Sequence, residues 1–169
     1  MTQTEFLEYF DRIRGRTRRV AALIPADRVE WSLRPGGMTL GDLVRHLAVT
    51  EREMWAETVA GRASRYRTHG RELADGKDAI LEFFDRLHAE AMSIFAGLPP
   101  AAFAGTCRTP AGAEMSVRKW LRAMIEHEVH HRGQLYLMLS VLEVPTPPMF
   151  GLTSEELRRR ASGMTGDSY

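Results

Sequence analysis

The sequence predicts an all-α protein, a four-helix bundle with a short extra C-terminal helix. Three observations carry that prediction: four long segments with apolar residues at helical spacing, cap residues at the heads of several of them, and very little strand-like alternation. At 169 residues, 44% of them hydrophobic, the chain is long enough to bury one core. We expect a single domain over 1–169, with a frayed tail at 164–169.

Helix one is expected over residues 4 to 23, where Phe6, Leu7, Phe10, Ile13, Val20 and Leu23 form one stripe. Arg12, Arg14, Arg16, Arg18 and Arg19 fill the gaps and spread around the cylinder, so they read as a solvated face rather than an RNA-binding patch. Residues 24 to 38 contain Pro25, Pro35 and the Gly36-Gly37 pair and form a connector, with Trp31 and Leu33 expected to plug one end of the core. Thr39, with Asp42 three residues on, has the pattern of a capping box and opens helix two. Its stripe runs through Leu40, Leu43, Val44, Leu47, Met54 and Trp55 to Gly61. His46 lies on the margin of that stripe, placed to reach across a helix interface.

Residues 63 to 76 are polar and without a sustained period, so they read as a loop in which His69 is solvated. Helix three is expected over 77 to 98, closed by Pro99 and Pro100, with His88 exposed or satisfied beside its stripe. Residues 99 to 115 form a long connection with a short strand or hairpin near 106 to 115; Cys107, a thiol without a partner motif, reads as structural. Ser116 caps helix four, which runs past residue 142. Thr153 and Glu156 announce the last short helix, ending near residue 161.

Helix four carries the chemistry. At about 100° per residue, His127 and His131 share a stripe with Trp120, Met124, Leu135, Met138 and Leu142, so both rings point inward. Buried imidazoles need partners for their nitrogens, and one cation satisfies both. His127-Glu128-Val129-His130-His131 also satisfies H-E-x-x-H, the helical signature of zinc peptidases. The longer metzincin pattern fails, because Gln134 and Leu137 stand where glycine and histidine belong, and the chain offers almost no strand pattern before the helix to hold a substrate backbone. His46, from another helix, can supply a third ligand; three neutral imidazoles leave open positions, as catalytic sites do.

Composition excludes other classes. Lys and Arg number 23 against 22 Asp and Glu, so no long-range field gathers nucleic acid or an anionic membrane. No apolar run reaches the length of a membrane span. The first residues lack the basic-then-apolar order of a secretory signal, and with one cysteine the protein reads as cytoplasmic.

TLGDLVRHL (39–47) and HEVHHRGQL (127–135), followed by PPMFGLTSEE, together resemble the DinB/YfiT-like family, whose members are regarded as metalloenzymes. The likeness spans roughly residues 31 to 156. It implies a four-helix bundle with metal ligands His46, His127 and His131, and with His130 beside the site or in solvent. Glu128 then falls off the inner stripe. The resemblance also implies thiol chemistry with small cosubstrates such as mycothiol or bacillithiol in some relatives, and hydrolysis in others. Homodimers are common in the family, and Trp55 and Val59 read equally as such a contact or as core.

Of these activities we favour transfer of a low-molecular-weight thiol to a small electrophile through a metal-bound thiolate. Gln134, on the inner stripe, cannot take a proton, and a thiolate needs no base. Glu128, His130, Glu51 and Glu53 are the candidates for supporting the ligands or moving protons. A hydrolase using metal-bound water is the alternative, and a metal-stapled, non-catalytic binding module the third. Imidazole ligands suit zinc or nickel first, with iron and copper compatible.

Overall fold

Cap chemistry sets where the rods begin. Thr2, Thr39 and Thr153 each accept a hydrogen bond from a backbone N–H three residues on, and Glu5, Asp42 and Glu156 return the bond to the cap. The computed structural model describes residues 1–162, so the tail expected to fray at 164–169 lies outside the described residues. Helix α1 spans Gln3–Ala21. Helix α2 (Leu40–Val49) runs through a π-helical stretch (Thr50–Trp55) into α3 (Ala56–Val59), and the three form one long rod. Helix α4 spans Lys77–Ala96, the five-residue α5 Pro100–Ala104, α6 Val117–Val141 and the terminal α7 Ser154–Ala161. Between α5 and α6, β1 (Thr106–Arg108) pairs antiparallel with β2 (Glu114–Ser116), Cys107 opposite Met115.

The fold is therefore the expected bundle, with α1, the α2–α3 rod, α4 and α6 as its members. The rods end where their chemistry requires. Gly61 (φ 76°) closes α3 in the left-handed region, with the Arg62 N–H bonding back to the Glu57 carbonyl. Glu143 takes the same conformation (φ 56°) after α6, and the Val144 N–H reaches the Leu139 carbonyl.

Buried apolar residues form two clusters. One gathers Val20, Leu40, Val44, Leu47, Phe84 and Leu135; the other gathers Phe6, Phe10, Trp55, Phe95, Leu121 and Met124. At the same height on every rod, a polar layer separates them: Arg14 and Thr17 on α1, Thr50 and Glu51 in the π-helical stretch, His88 on α4, and Glu128, His131 and Arg132 on α6. Arg14 bridges Glu51 (2.6 Å) and Glu128 (2.7 Å), with its guanidinium 3.6 Å over the Phe84 ring. His88 Nδ1 lies 2.8 Å from the Glu51 carboxylate.

Several expectations are corrected here. Arg14 does not belong to a solvated face: it is 2% exposed, because two carboxylates meet it in the core. Glu51 and Glu128 are likewise buried as its partners. Leu33 is half exposed and does not plug the core, whereas Trp31 packs against it. Trp55 and Val59 are buried, so they are not available to a second subunit. No described helix is long and apolar enough to cross a membrane.

Candidate metal centre

His46, on the second turn of α2, reaches across to α6, where His127 and His131 stand one turn apart. The His46 and His127 Nε2 atoms are 3.0 Å apart, and those of His127 and His131 3.1 Å apart. One ligating nitrogen from each of the three lies within 4.8 Å of the others. The expected trio thus converges from two rods. Trp55 walls one side, its ring centroid 4.8 Å from that of His127.

The far sides of two rings are held by partners that decide which nitrogen carries the proton. Gln134 presents its amide oxygen 2.6 Å from His131 Nδ1. An amide oxygen only accepts, so Nδ1 of His131 is the N–H and its Nε2 keeps a lone pair. Tyr66 Oη lies 3.1 Å from His46 Nδ1 and 2.8 Å from His69 Nδ1. The arrangement that satisfies all three groups has His46 Nδ1–H donating to Tyr66 and the Tyr66 hydroxyl donating to His69. His46 Nε2 then also points a lone pair inward.

Burial, together with the nearby His131 and His69 rings, pushes His46 down to about 4. Burial, then His131 and His46, pushes His127 down to about 3. His131 is also lowered by burial, against the pull of its Gln134 bond. At neutral pH the three imidazoles are therefore uncharged, the form in which they ligate metals. The inward lone pairs of His46 and His131 both meet His127 Nε2 at about 3 Å, where either a proton on that nitrogen or a shared cation satisfies them. A divalent cation, with nitrogen ligands at about 2.0–2.1 Å for zinc, fits that requirement.

The supporting cast differs from the expected one. Glu128 faces Arg14 in the polar layer and not the imidazoles, which removes the general base a peptidase reading of H-E-x-x-H needs. His130 is exposed, its ring 4.9 Å from that of His131, as expected of a neighbour. Glu53 is half-buried, and its carbonyl accepts from the Arg65 N–H in the loop after α3. That loop corrects another expectation. His69 is not solvated: it bonds Tyr66 and packs against His46, ring centroids 5.4 Å apart. Tyr66 and His69 escaped sequence reasoning because an aperiodic loop gives no face on which to place them. A cavity of about 390 Å³, lined by Leu33, Met38, Leu43, Gln134, Leu137 and Met138, adjoins the site through Gln134.

Comparisons with known proteins agree with this architecture. A DinB-like protein from Bacillus cereus superposes with a TM-score of 0.75 at 15% identity, covering 88% of this chain and 99% of that one. A second, from Bacillus subtilis, gives 0.67 at 20% identity over 84% and 96%. A mycothiol-dependent maleylpyruvate isomerase gives 0.66 at 16% identity; the likeness covers 80% of this chain but 61% of the isomerase, which is the longer protein. No curated protein matches the sequence significantly. The sequence profile of the DinB superfamily matches residues 9–135, from α1 through both histidine-bearing segments, and the chain belongs to that superfamily.

Proposed function

We propose that this chain is a divalent-metal-dependent enzyme that transfers a low-molecular-weight thiol to a small electrophile. The observation that carries the reading is the convergence of three neutral imidazoles, each contributing an Nε2 within reach of its neighbours. His46, His127 and His131 would hold the cation, zinc or nickel before iron or copper. A divalent cation there supplies Lewis acidity, lowering the pKa of whatever occupies its open positions. Gln134 and Tyr66 keep the imidazole lone pairs aimed inward. Glu128 is paired with Arg14 and does not face the imidazoles, so no carboxylate is placed there as a base and the chemistry favours a reactant that ionises without one. The thiol gives its proton to solvent, its sulfur pair forms the new bond to carbon, and the electrophile's leaving group departs with the electrons of the bond that breaks. That the isomerase sharing this fold is mycothiol-dependent supports the choice of thiol.

The Tyr66–His69 chain favours a second reading, a hydrolase, because it offers a path for a proton away from the site. Both readings take residues 1–169 as one cytoplasmic domain acting as a homodimer. With Trp55 and Val59 buried, Val129, Leu137 and Val141, exposed on α6, are the apolar residues available to a second copy.

Consumption of a small electrophile in the presence of a thiol, lost in His131→Ala while the fold persists, is the expected result. Turnover that continues without any thiol selects the hydrolase. Metal binding without turnover on either panel leaves a metal-stapled binding module.

A further inference from the structure

Beyond the imidazoles, one feature combines volume, guanidinium and hydroxyl groups on its walls, and a bond to a member of the cluster. A cavity of about 590 Å³ opens between the loop after α3 and the β1–β2 hairpin, and Thr58, Arg62, Ser64, Tyr66, Arg108 and Thr109 are among its walls. Four of these six carry hydroxyls, two carry guanidinium groups, and no carboxylate lines it. Of its two guanidinium groups, that of Arg62 is already paired with a carboxylate behind the wall. There the buried Glu57 carboxylate is met by Arg52, Arg62 and Arg65 together. Burial works to raise Glu57, but the bonds from Arg62 and Arg52 prevail and hold it at about 2, so its charge is present, and Arg52 is shared with Glu90. Arg108 makes no ion pair within 4 Å among the described residues, and Glu114 is the carboxylate opposite it in the β1–β2 register.

The walls are anchored. On one side, the Arg62 N–H bonds the Glu57 carbonyl and the Arg65 N–H bonds the Glu53 carbonyl, which ties the loop to the rod beneath it. On the other, the Thr109 N–H bonds the Ala113 carbonyl, and Gly112 (φ 83°) closes the hairpin turn in a conformation that glycine adopts without strain. Tyr66, one of the cavity's walls, joins it to the histidines: its hydroxyl is 3.1 Å from His46 Nδ1.

Resting on the thiol reading above, we infer that this cavity is the subsite for the carboxylate-bearing, polar end of the thiol cosubstrate, with Arg108 as its anion contact. Guanidinium groups pair with carboxylates in a planar fork, and the surrounding hydroxyls both donate and accept, matching a polar, multiply oxygenated body. The 390 Å³ cavity beside Gln134, mostly apolar with Arg34 at its wall, is left for the electrophile.

The structure supplies its own reporter. Trp120 Nε1 donates to Thr58 Oγ1 at 2.8 Å, so occupancy of the cavity alters the surroundings of this indole. The experiment uses cobalt-loaded protein titrated with glutathione, with glutathione diethyl ester, whose carboxylates are masked, and with S-methylglutathione, which has no free thiol. Sulfur-to-cobalt absorbance reads the histidine site; because Trp55 stands beside that site, the cavity is read by the part of the tryptophan fluorescence change that Arg108→Ala removes. We expect glutathione to half-saturate the absorbance at a concentration about fivefold below that of the ester, with Arg108→Ala erasing the difference while leaving cobalt content unchanged. S-methylglutathione is expected to change the fluorescence without the absorbance, again dependent on Arg108. Equal half-saturation by acid and ester, or a preference that survives in Arg108→Ala, overturns the subsite. Absence of the absorbance band with every thiol overturns the thiol reading itself. If the Arg108-dependent fluorescence change then persists, the cavity stands as an anion site for a different reactant and its assignment to a thiol falls.

Discussion

Tyr66 and Gln134 do not touch the position a cation would take, yet they decide whether the imidazoles can bind one. Each fixes a ring nitrogen as donor or acceptor, and partners of this kind are worth about 10–100-fold in metal affinity. Tyr66→Phe is therefore expected to weaken metal binding by about that factor, measured by competition with a chromophoric chelator, while helix content is unchanged. Unaltered affinity would show that His46 keeps its orientation by packing alone. The histidines also make a pH prediction for the metal-free protein. His46 and His127 titrate at about 4 and 3 in the fold, below the ordinary value of about 6.5 that applies when the chain unfolds. Between those values the unfolded chain binds protons that the folded one does not, so stability is fully present above about 6.5 and falls as pH drops toward 4. The window from pH 6.5 to 5 lies above the ordinary carboxylate range. There the urea midpoint should fall with acidification, and less so in His127→Phe; a slope identical in the two proteins would contradict the assignment. Of the residues involved, His46, His127 and His131 were legible in the sequence, because a capping box and an i, i+4 spacing fix their faces. Tyr66 and His69 were not, since their placement depends on how a loop folds back on α2 and α3.

The four rods were legible as elements to within a few residues, since apolar period and cap residues are local signals. The π-helical stretch from Thr50 to Trp55 was not, because a wheel drawn at 3.6 residues per turn carries no signal for the change of pitch. At its start, the Thr50 hydroxyl donates to the His46 carbonyl at 2.7 Å, a bond that competes with the regular helical ladder. The next residue, Glu51, is presented to Arg14. Nothing local marks Arg14, Glu51 and Glu128 as core residues: each is charged, and each is buried only because the other two arrive from distant parts of the chain. This network makes a prediction with a sign. Arg14→Met leaves two carboxylates buried without their shared cation and is expected to cost about 3–5 kcal/mol in chemical denaturation. Replacing Arg14, Glu51 and Glu128 together with apolar residues of similar volume should recover most of that loss. Equal destabilisation in the single and triple variants would mean that the network holds the helices by shape rather than by charge balance.

Across the whole molecule, the polar layer lies where the two apolar clusters meet, and the histidine trio sits next to it, between α2 and α6. Two dry cores give the bundle rigid ends, and the layer between them holds polar groups in fixed places where a uniformly apolar core could not. The trio is thus carried by two rods locked on both sides, an arrangement suited to gripping an ion without reorganising to do so. Net charge was legible from composition and says little about this, since the charges that matter are paired locally in the interior. The most direct test is metal titration of protein purified without an affinity tag, followed by elemental analysis. The account predicts one divalent ion per chain in the native protein and in Glu128→Gln, and its loss in His46→Ala, His127→Ala and His131→Ala while the helical spectrum persists. A native protein that binds no divalent ion, or a His131→Ala variant that binds it as tightly as the native chain does, would contradict it.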